Sequence, residues 1–268
     1  MSQSFYVITW TDVLVSFILV AISLGLIRWW KIGLEKTLLI GTLRTFIQLA
    51  GMGYVLTFFF RQRHWLFMVT LVSLMILIAG FEGYRREKEF RIPHYFAIVT
   101  GSLFFTVFIV LGIILKFILD VQPWYYPYAM IPIAGMIIGN ALNSTTLTVN
   151  RFIGELQHRD QEIEMLLSLG APARVAVQDP LRNSIRAALI PNINSLMMVG
   201  LVQLPGVMTG QILSGVDPLI AVRYQIMIMY MWITTVIIVD ILVLAFVYRQ
   251  FFTPRIQLRR HLLLKKHL

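Results

Sequence analysis

Residues 135–152 read GMIIGNALNSTTLTVNRF, directly after the largely apolar YAMIPIA of 128–134. A side-chain amide in hydrocarbon is costly unless it finds a partner. Asn140, Asn143, Ser144, Thr145, Thr146, Thr148 and Asn150 must therefore face other helices, or face water and a passing solute. On a helix, Asn140, Asn143, Ser144 and Leu147 share one face. Gly135 and Gly139 lie four apart, a spacing that permits close helix approach. A second stretch, LPGVMTGQILSG (204–215), carries Pro205, Gly206, Gly210 and Gly215. Proline and glycine interrupt helical bonding and free backbone carbonyls, and broken helices at mid-membrane bind solutes in transporters. A solute path lined by Asn140, Asn143, Thr145, Pro205, Met208, Thr209 and Gln211 is the expectation, with interhelical packing as its alternative.

A metal site is not expected. His64, His94, His158, His261 and His267 all lie in loops, near span ends or in the tail. Hard cations want carboxylates, which are few. Met197, Met198, Met208, Met227, Met229 and Met231 could suit soft Cu(I), but methionine also serves as adaptable packing. An iron chelate or an anionic organic compound suits an Asn/Thr/Gln lining better than a bare ion. Two ionisable residues, Arg44 and Asp240, fall well inside apolar runs. Each costs about 2.5–3.5 kcal/mol at a helix centre and so needs a partner or water. Both lie roughly 12 Å in depth from the same face, at 1.5 Å per residue. Depth alone pairs Arg44 with Asp240, with Glu82 as a rival partner for the arginine. Such a pair would be a structural clamp or a gating switch. The phosphate loop GxxxxGK[ST] and the HExxH, GxSxG and GxGxxG patterns are absent. The chain is not expected to be an enzyme, and no cofactor of its own is expected.

These residues sit in a chain of 268 residues, 58% hydrophobic and 13% charged, where soluble domains are about 25% charged. Its mean hydropathy is +0.76. Continuous apolar runs of helix length exclude alternating barrel strands. The expected fold is all-α: a polytopic transmembrane helix bundle of about seven spans, near 11–27, 37–60, 65–81, 95–117, 128–149, 191–215 and 224–247. The net charge of +10 lies in short loops between spans, which argues for membrane topology and against nucleic acid as a partner.

On one side lie Arg28, Lys31 and Lys36, then Arg85, Arg86, Lys88 and Arg91. Arg151, Arg159, Arg174, Arg182 and Arg186 follow there, with Arg249, Arg255, Arg259, Arg260, Lys265 and Lys266 in the tail. The other side holds Arg61, Arg63, Lys116 and Arg223. This puts the C-terminus in the cytoplasm and the N-terminus outside. Trp29, Trp30, Trp65 and the PWYYPY of 123–128 mark interfaces. The uncharged MSQSFYVITW start lacks the basic region of a signal peptide. The absence of cysteine removes disulfides and thiolate metal sites.

One loop, about 150–190, is long. DQEIEMLLSLG reads as a short helix capped by Asp160, with Ile163, Leu166 and Leu167 as its apolar stripe. Gly170 fits the left-handed position after it, and Pro172 stops it. A second helix starts at Asp179-Pro180. Leu181, Ile185, Ala188 and Leu189 form one face, with Arg182 and Arg186 on another, as in an amphipathic helix at a membrane surface.

The spacing Glu164-x5-Gly170 resembles the E-A-A-x3-G loop by which ABC-transporter permeases engage their ATPase, with Met165 and Leu166 in place of the alanines. Taken in order, IPIAGMIIGNALNSTTLTVNRF, EMLLSLGA, ALIPNINSLMMVGLVQLPGVMTGQILSG and DPLIAVRYQIMIMY look like the FetB/YbbM-like permeases. These are bacterial ABC-transporter membrane subunits assigned to iron export, with plant relatives tied to aluminium tolerance. The resemblance covers essentially the whole chain. It implies a single permease domain, 1–268, in a bacterial inner membrane, acting as a homodimer with a separate cytoplasmic ATPase that binds ATP and Mg. Glu164, Leu167, Gly170, Ala171 and Pro172 would then couple to that ATPase. The competing class is an ion-coupled secondary transporter or channel, which needs no ATPase and for which Asp240 would be the first residue of interest.

Overall fold

The computed structural model describes residues 9–61, 64–87, 90 and 92–263. Of the residues named above, Arg63, Lys88, Arg91, Lys265, Lys266, His267 and most of the N-terminal MSQSFYVITW stretch lie outside them. Among the described residues the structure is helical, without strands; its β-bridges are isolated. The helices are α1 (Trp10–Trp29), α2 (Glu35–Arg61), α3 (Trp65–Arg86), α4 (Tyr95–Ile113), α5 (Pro127–His158), α6 (Asp160–Ser168), α7 (Ala173–Ala176), α8 (Gln178–Met198), α9 (Gly206–Leu213) and α10 (Pro218–Gln250). A π-helical turn, Ile114–Ile118, prolongs α4.

Among the described residues, five helices are long and apolar enough to cross a membrane: α1, α2, α3, α4 with its π turn, and α10. The other two expected spans differ in an informative way. The fifth lies within α5, whose 32 residues reach about 48 Å but whose amides and hydroxyls dilute its hydropathy. The sixth, 191–215, is not one helix. It is shared between the end of α8, a turn at Gly200 (φ +84°) and α9, which begins after Pro205. A proline lacks the N–H that a continuing helix needs, and a left-handed glycine ends one.

The chain divides into two compact units. The first contains α1 and α2. Thr9 and Asp12 form a reciprocal capping box at the start of α1, and Phe46 of α2 meets Trp10 and Phe17 edge-on at ring separations of 6.1 and 6.0 Å. Neither helix has a buried residue, as expected for apolar surface solvated by lipid.

The second unit packs α3, α4, α5, α8 and α10 around one core. α5 is central, lying against α3, α4, α8 and α10. Close approach occurs at Gly80 and Gly83 of α3. A methyl at Gly80 would overlap Thr100 Oγ1 of α4, and one at Gly83 would come within 2.8 Å of Leu142 of α5. The pair expected from spacing is looser: a methyl at Gly135 would meet Met75 at 3.3 Å, and Gly139 faces open space.

Candidate functional site

Asp240, in the middle of α10, has no exposed surface. Two neighbouring residues of α5 hold its carboxylate. Ser144 Oγ donates to Oδ2 at 2.6 Å, and Thr145 Oγ1 donates to Oδ1 at 2.9 Å. Thr148, one turn on, also borders the carboxylate, and its fully buried hydroxyl closes no bond of standard length. Asn192 of α8 adds a long 3.4 Å contact to Ser144 Oγ while donating to Ala188 O at 2.9 Å. Helices α5, α8 and α10 thus meet at one polar point inside an apolar core. Hydrogen bonds to a charged group in such surroundings are stronger than neutral ones. Within their shared unit, the partners of Asp240 are hydroxyls of α5. Arg44 belongs to the other unit.

A second face of α5 ties down the end of α3. Arg86 Nη1 donates to Asn143 Oδ1 at 2.8 Å, and Asn150 Nδ2 donates to Glu87 Oε1 at 2.6 Å, with Glu87 almost fully buried. Asn140 turns back on its own helix, donating to Met136 O at 2.8 Å. Three of the seven residues expected to line a solute path, Asn140, Asn143 and Thr145, are therefore occupied within the bundle.

The other four, Pro205, Met208, Thr209 and Gln211, lie at and after the helix break. They share no hydrogen bond with the α5 residues among the described contacts. Thr209 Oγ1 donates to Pro205 O at 3.1 Å, and Gln211 Oε1 is buried without a partner. Among the described residues no three His, Cys, Asp or Glu side chains group as a metal site.

The long loop is almost entirely helical. α6 begins one residue earlier than its cap was expected: Asp160 is the first helical residue, and Arg159 precedes it. α8 likewise begins at Gln178, so Pro180 is the third helical residue; a proline there still forfeits no intrahelical bond. Ile163 is buried and Leu166 and Leu167 are half-buried, as their spacing predicts. After α6, Gly170 takes φ +86°. Its N–H reaches Leu167 O and that of Ala171 reaches Leu166 O, both at 3.0 Å, which closes a Schellman turn. Pro172 then caps α7. At this corner Leu169 is 78% and Met165 59% exposed.

Sequence reasoning missed the tail. Beyond α10 the chain turns at Thr253–Ile256 and folds back. Arg260 Nη2 lies 3.2 Å from Asp160 and 3.0 Å from Glu164, and Gln157 Nε2 donates to Leu263 O at 2.6 Å. Glu164 thus holds the tail. Arg255–Leu258 form a groove of about 590 Å³ with Glu164, Leu167 and Gly170–Ala171. The one available signal was charge: a basic tail and an acidic first turn of α6.

Comparison with known proteins decides the family. A family model described as Uncharacterised protein family (UPF0014) matches residues 10–252. The chain belongs to UPF0014. It is 35% identical to the UPF0014 membrane protein YjkA of Bacillus subtilis over 246 residues, covering 92% of this chain and 96% of that one. It is 35% identical over 252 residues to the Probable iron export permease protein FetB of Escherichia coli, covering 94% and 95%. It is 31% identical over 234 residues to the Protein ALUMINUM SENSITIVE 3 of Arabidopsis thaliana, covering 86% and 83%. No solved structure matches. Like the UPF0014 membrane protein YjkA, the chain is a membrane protein.

Proposed function

We propose that this UPF0014 protein is the membrane-spanning permease subunit of an ATP-driven (ABC) transporter in a bacterial inner membrane, acting as a homodimer. A separate cytoplasmic ATPase drives alternating access, and the cargo is exported iron or a metal-linked solute. The observation that carries the reading is the corner between α6 and α7. A short helix, a left-handed glycine and a proline-capped turn present apolar side chains on a segment too short to enter the bilayer. Exposed Leu169 and Met165 there need a protein partner to leave water. The groove shared with Arg255–Leu258 gives that partner a second wall. Iron export as cargo is carried over from the Escherichia coli relative, the Probable iron export permease protein FetB. Gln211 of α9, whose Oε1 is buried without a partner, suits a chelated form of the metal better than a bare cation.

The test is to co-express the tagged protein with a candidate ATPase, purify the complex and assay vanadate-sensitive ATP hydrolysis. Wild type should retain the ATPase. Gly170→Arg and an Ala171/Pro172 double change should lose it while remaining folded. Retention that ignores the corner would overturn the docking assignment. The buried Asp240 carboxylate gives a second reading, ion-coupled transport without an ATPase. That reading requires cargo flux in vesicles without ATP, abolished by Asp240→Asn.

A further inference from the structure

Beside the docking corner, α7, α8 and the end of α10 enclose an open groove of about 540 Å³. Its rim is basic: Arg174 of α7, Arg182 of α8 and Arg249 in the last turn of α10. No carboxylate lines the groove, and none of these arginines is in an ion pair among the described residues. The guanidinium of Arg249 lies 5.9 Å from the ring centroids of both Phe246 and Tyr248, which positions the charge without neutralising it. Beyond the rim the wall turns apolar, with Leu181 and Ile185 on one side and Ile241 and Leu244 on the other. Ile241 lies eight residues before Arg249, about 12 Å along the helix, so the slot runs down a membrane-crossing helix.

Three like charges around one opening repel unless an anion joins them. Arginine is the side chain best shaped to take phosphate oxygens in pairs. Basic pockets between membrane helices receive anionic lipid headgroups. A soluble phosphate would satisfy the rim and leave the apolar slot empty. A zwitterionic lipid would bring a cation of its own to the arginines.

We propose that the α7–α8–α10 groove binds one anionic phospholipid, its phosphate on Arg174, Arg182 and Arg249 and an acyl chain along Leu181, Ile185, Ile241 and Leu244. The site is independent of the transport reading.

The test titrates the full-length protein, delipidated in detergent, with phosphatidylglycerol or phosphatidylcholine and counts bound lipids by native mass spectrometry. One phosphatidylglycerol should bind well above the phosphatidylcholine background. Arg174→Gln/Arg182→Gln/Arg249→Gln should weaken it about a hundredfold and leave phosphatidylcholine unchanged. Ile185→Trp, which fills the slot and keeps every charge, should also release the lipid. Because the triple variant could unfold, Arg182→Gln alone, on an exposed side chain, should still weaken binding measurably at an unchanged melting temperature. Equal retention of both lipids, or undiminished phosphatidylglycerol binding in the triple variant, overturns the site. Displacement of the lipid by inorganic phosphate as effectively as by added phosphatidylglycerol overturns the lipid assignment in favour of a soluble anion.

Discussion

Asp240 is a carboxylate held by two adjacent hydroxyls of one helix, a pattern that works only when Ser144 and Thr145 both turn toward α10. Removing either hydroxyl leaves a buried acceptor short of a donor. Ser144→Ala or Thr145→Ala should each destabilise the protein by about 1.5–3 kcal/mol, read as the free energy of unfolding in detergent. Asp240→Ala should make a later Ser144→Ala change nearly silent, and a double-mutant cycle measures that coupling. The residue scale also shows what sequence could give. Asp240 was identifiable as a group needing a partner because hydrocarbon penalises charge wherever it sits. The Ser144 and Thr145 donors were not, because depth is one coordinate along a helix, and contact also depends on which way each face turns. Both hydroxyls turn toward the carboxylate.

Among the elements, α3 carries the tightest glycine contacts of the described residues. Gly80→Leu would drive a side chain into Thr100 of α4 and should destabilise by at least about 1–3 kcal/mol. Gly139→Ala, facing open space, should stay within about 0.5 kcal/mol of wild type. Thermal unfolding of the two variants side by side checks both. Spacing singles out Gly135 and Gly139, because small residues four apart recur at helix interfaces. Small residues permit an approach but do not cause one. The turn after α6 was legible because its chemistry is local: only a residue without Cβ takes φ +86° freely, and Gly170 stands there. Gly170→Ala should destabilise by about 1 kcal/mol, measured as a shift in unfolding free energy. The break in the sixth span was legible in Pro205 and its neighbouring glycines, but not its place at the Gly200 turn. Hydropathy records solvent preference, whereas Gly200 and Pro205 decide whether the backbone continues.

At the scale of the whole molecule, the tail returns to the start of α6 through Arg260, a link that no local pattern announces. Its two ion pairs are about half exposed, so each contributes only about 0–1 kcal/mol and is screened by salt. Amides of 253–263 should therefore exchange with deuterium faster in high salt and in Arg260→Ala, while those of α5 stay protected. Ile256 adds a second handle. It sits at φ +60°, an unfavourable conformation for a β-branched residue, and is 48% exposed in the wall of the groove proposed for docking. Ile256→Asn should keep or raise the melting temperature and yet reduce ATPase retention, separating fold from docking. The class, the helical content and the corner of the long loop were legible from composition and local chemistry. The tail's return and the Asp240 clasp arise from contacts between distant segments, which carry no sequence period. One consequence concerns mechanics. α5 runs unbroken from the Asp240 clasp to His158, thirteen residues or about 20 Å beyond Thr145, and α6 follows after Arg159. On the docking proposed above, a force passed from α6 through the turn at Arg159 would reach the clasp along a rod with no further break. If the clasp holds, α5 and α10 travel together as one lever. If it yields, α5 slides alone, and in the proposed transport cycle two small hydroxyls would set the load at which the two helices part.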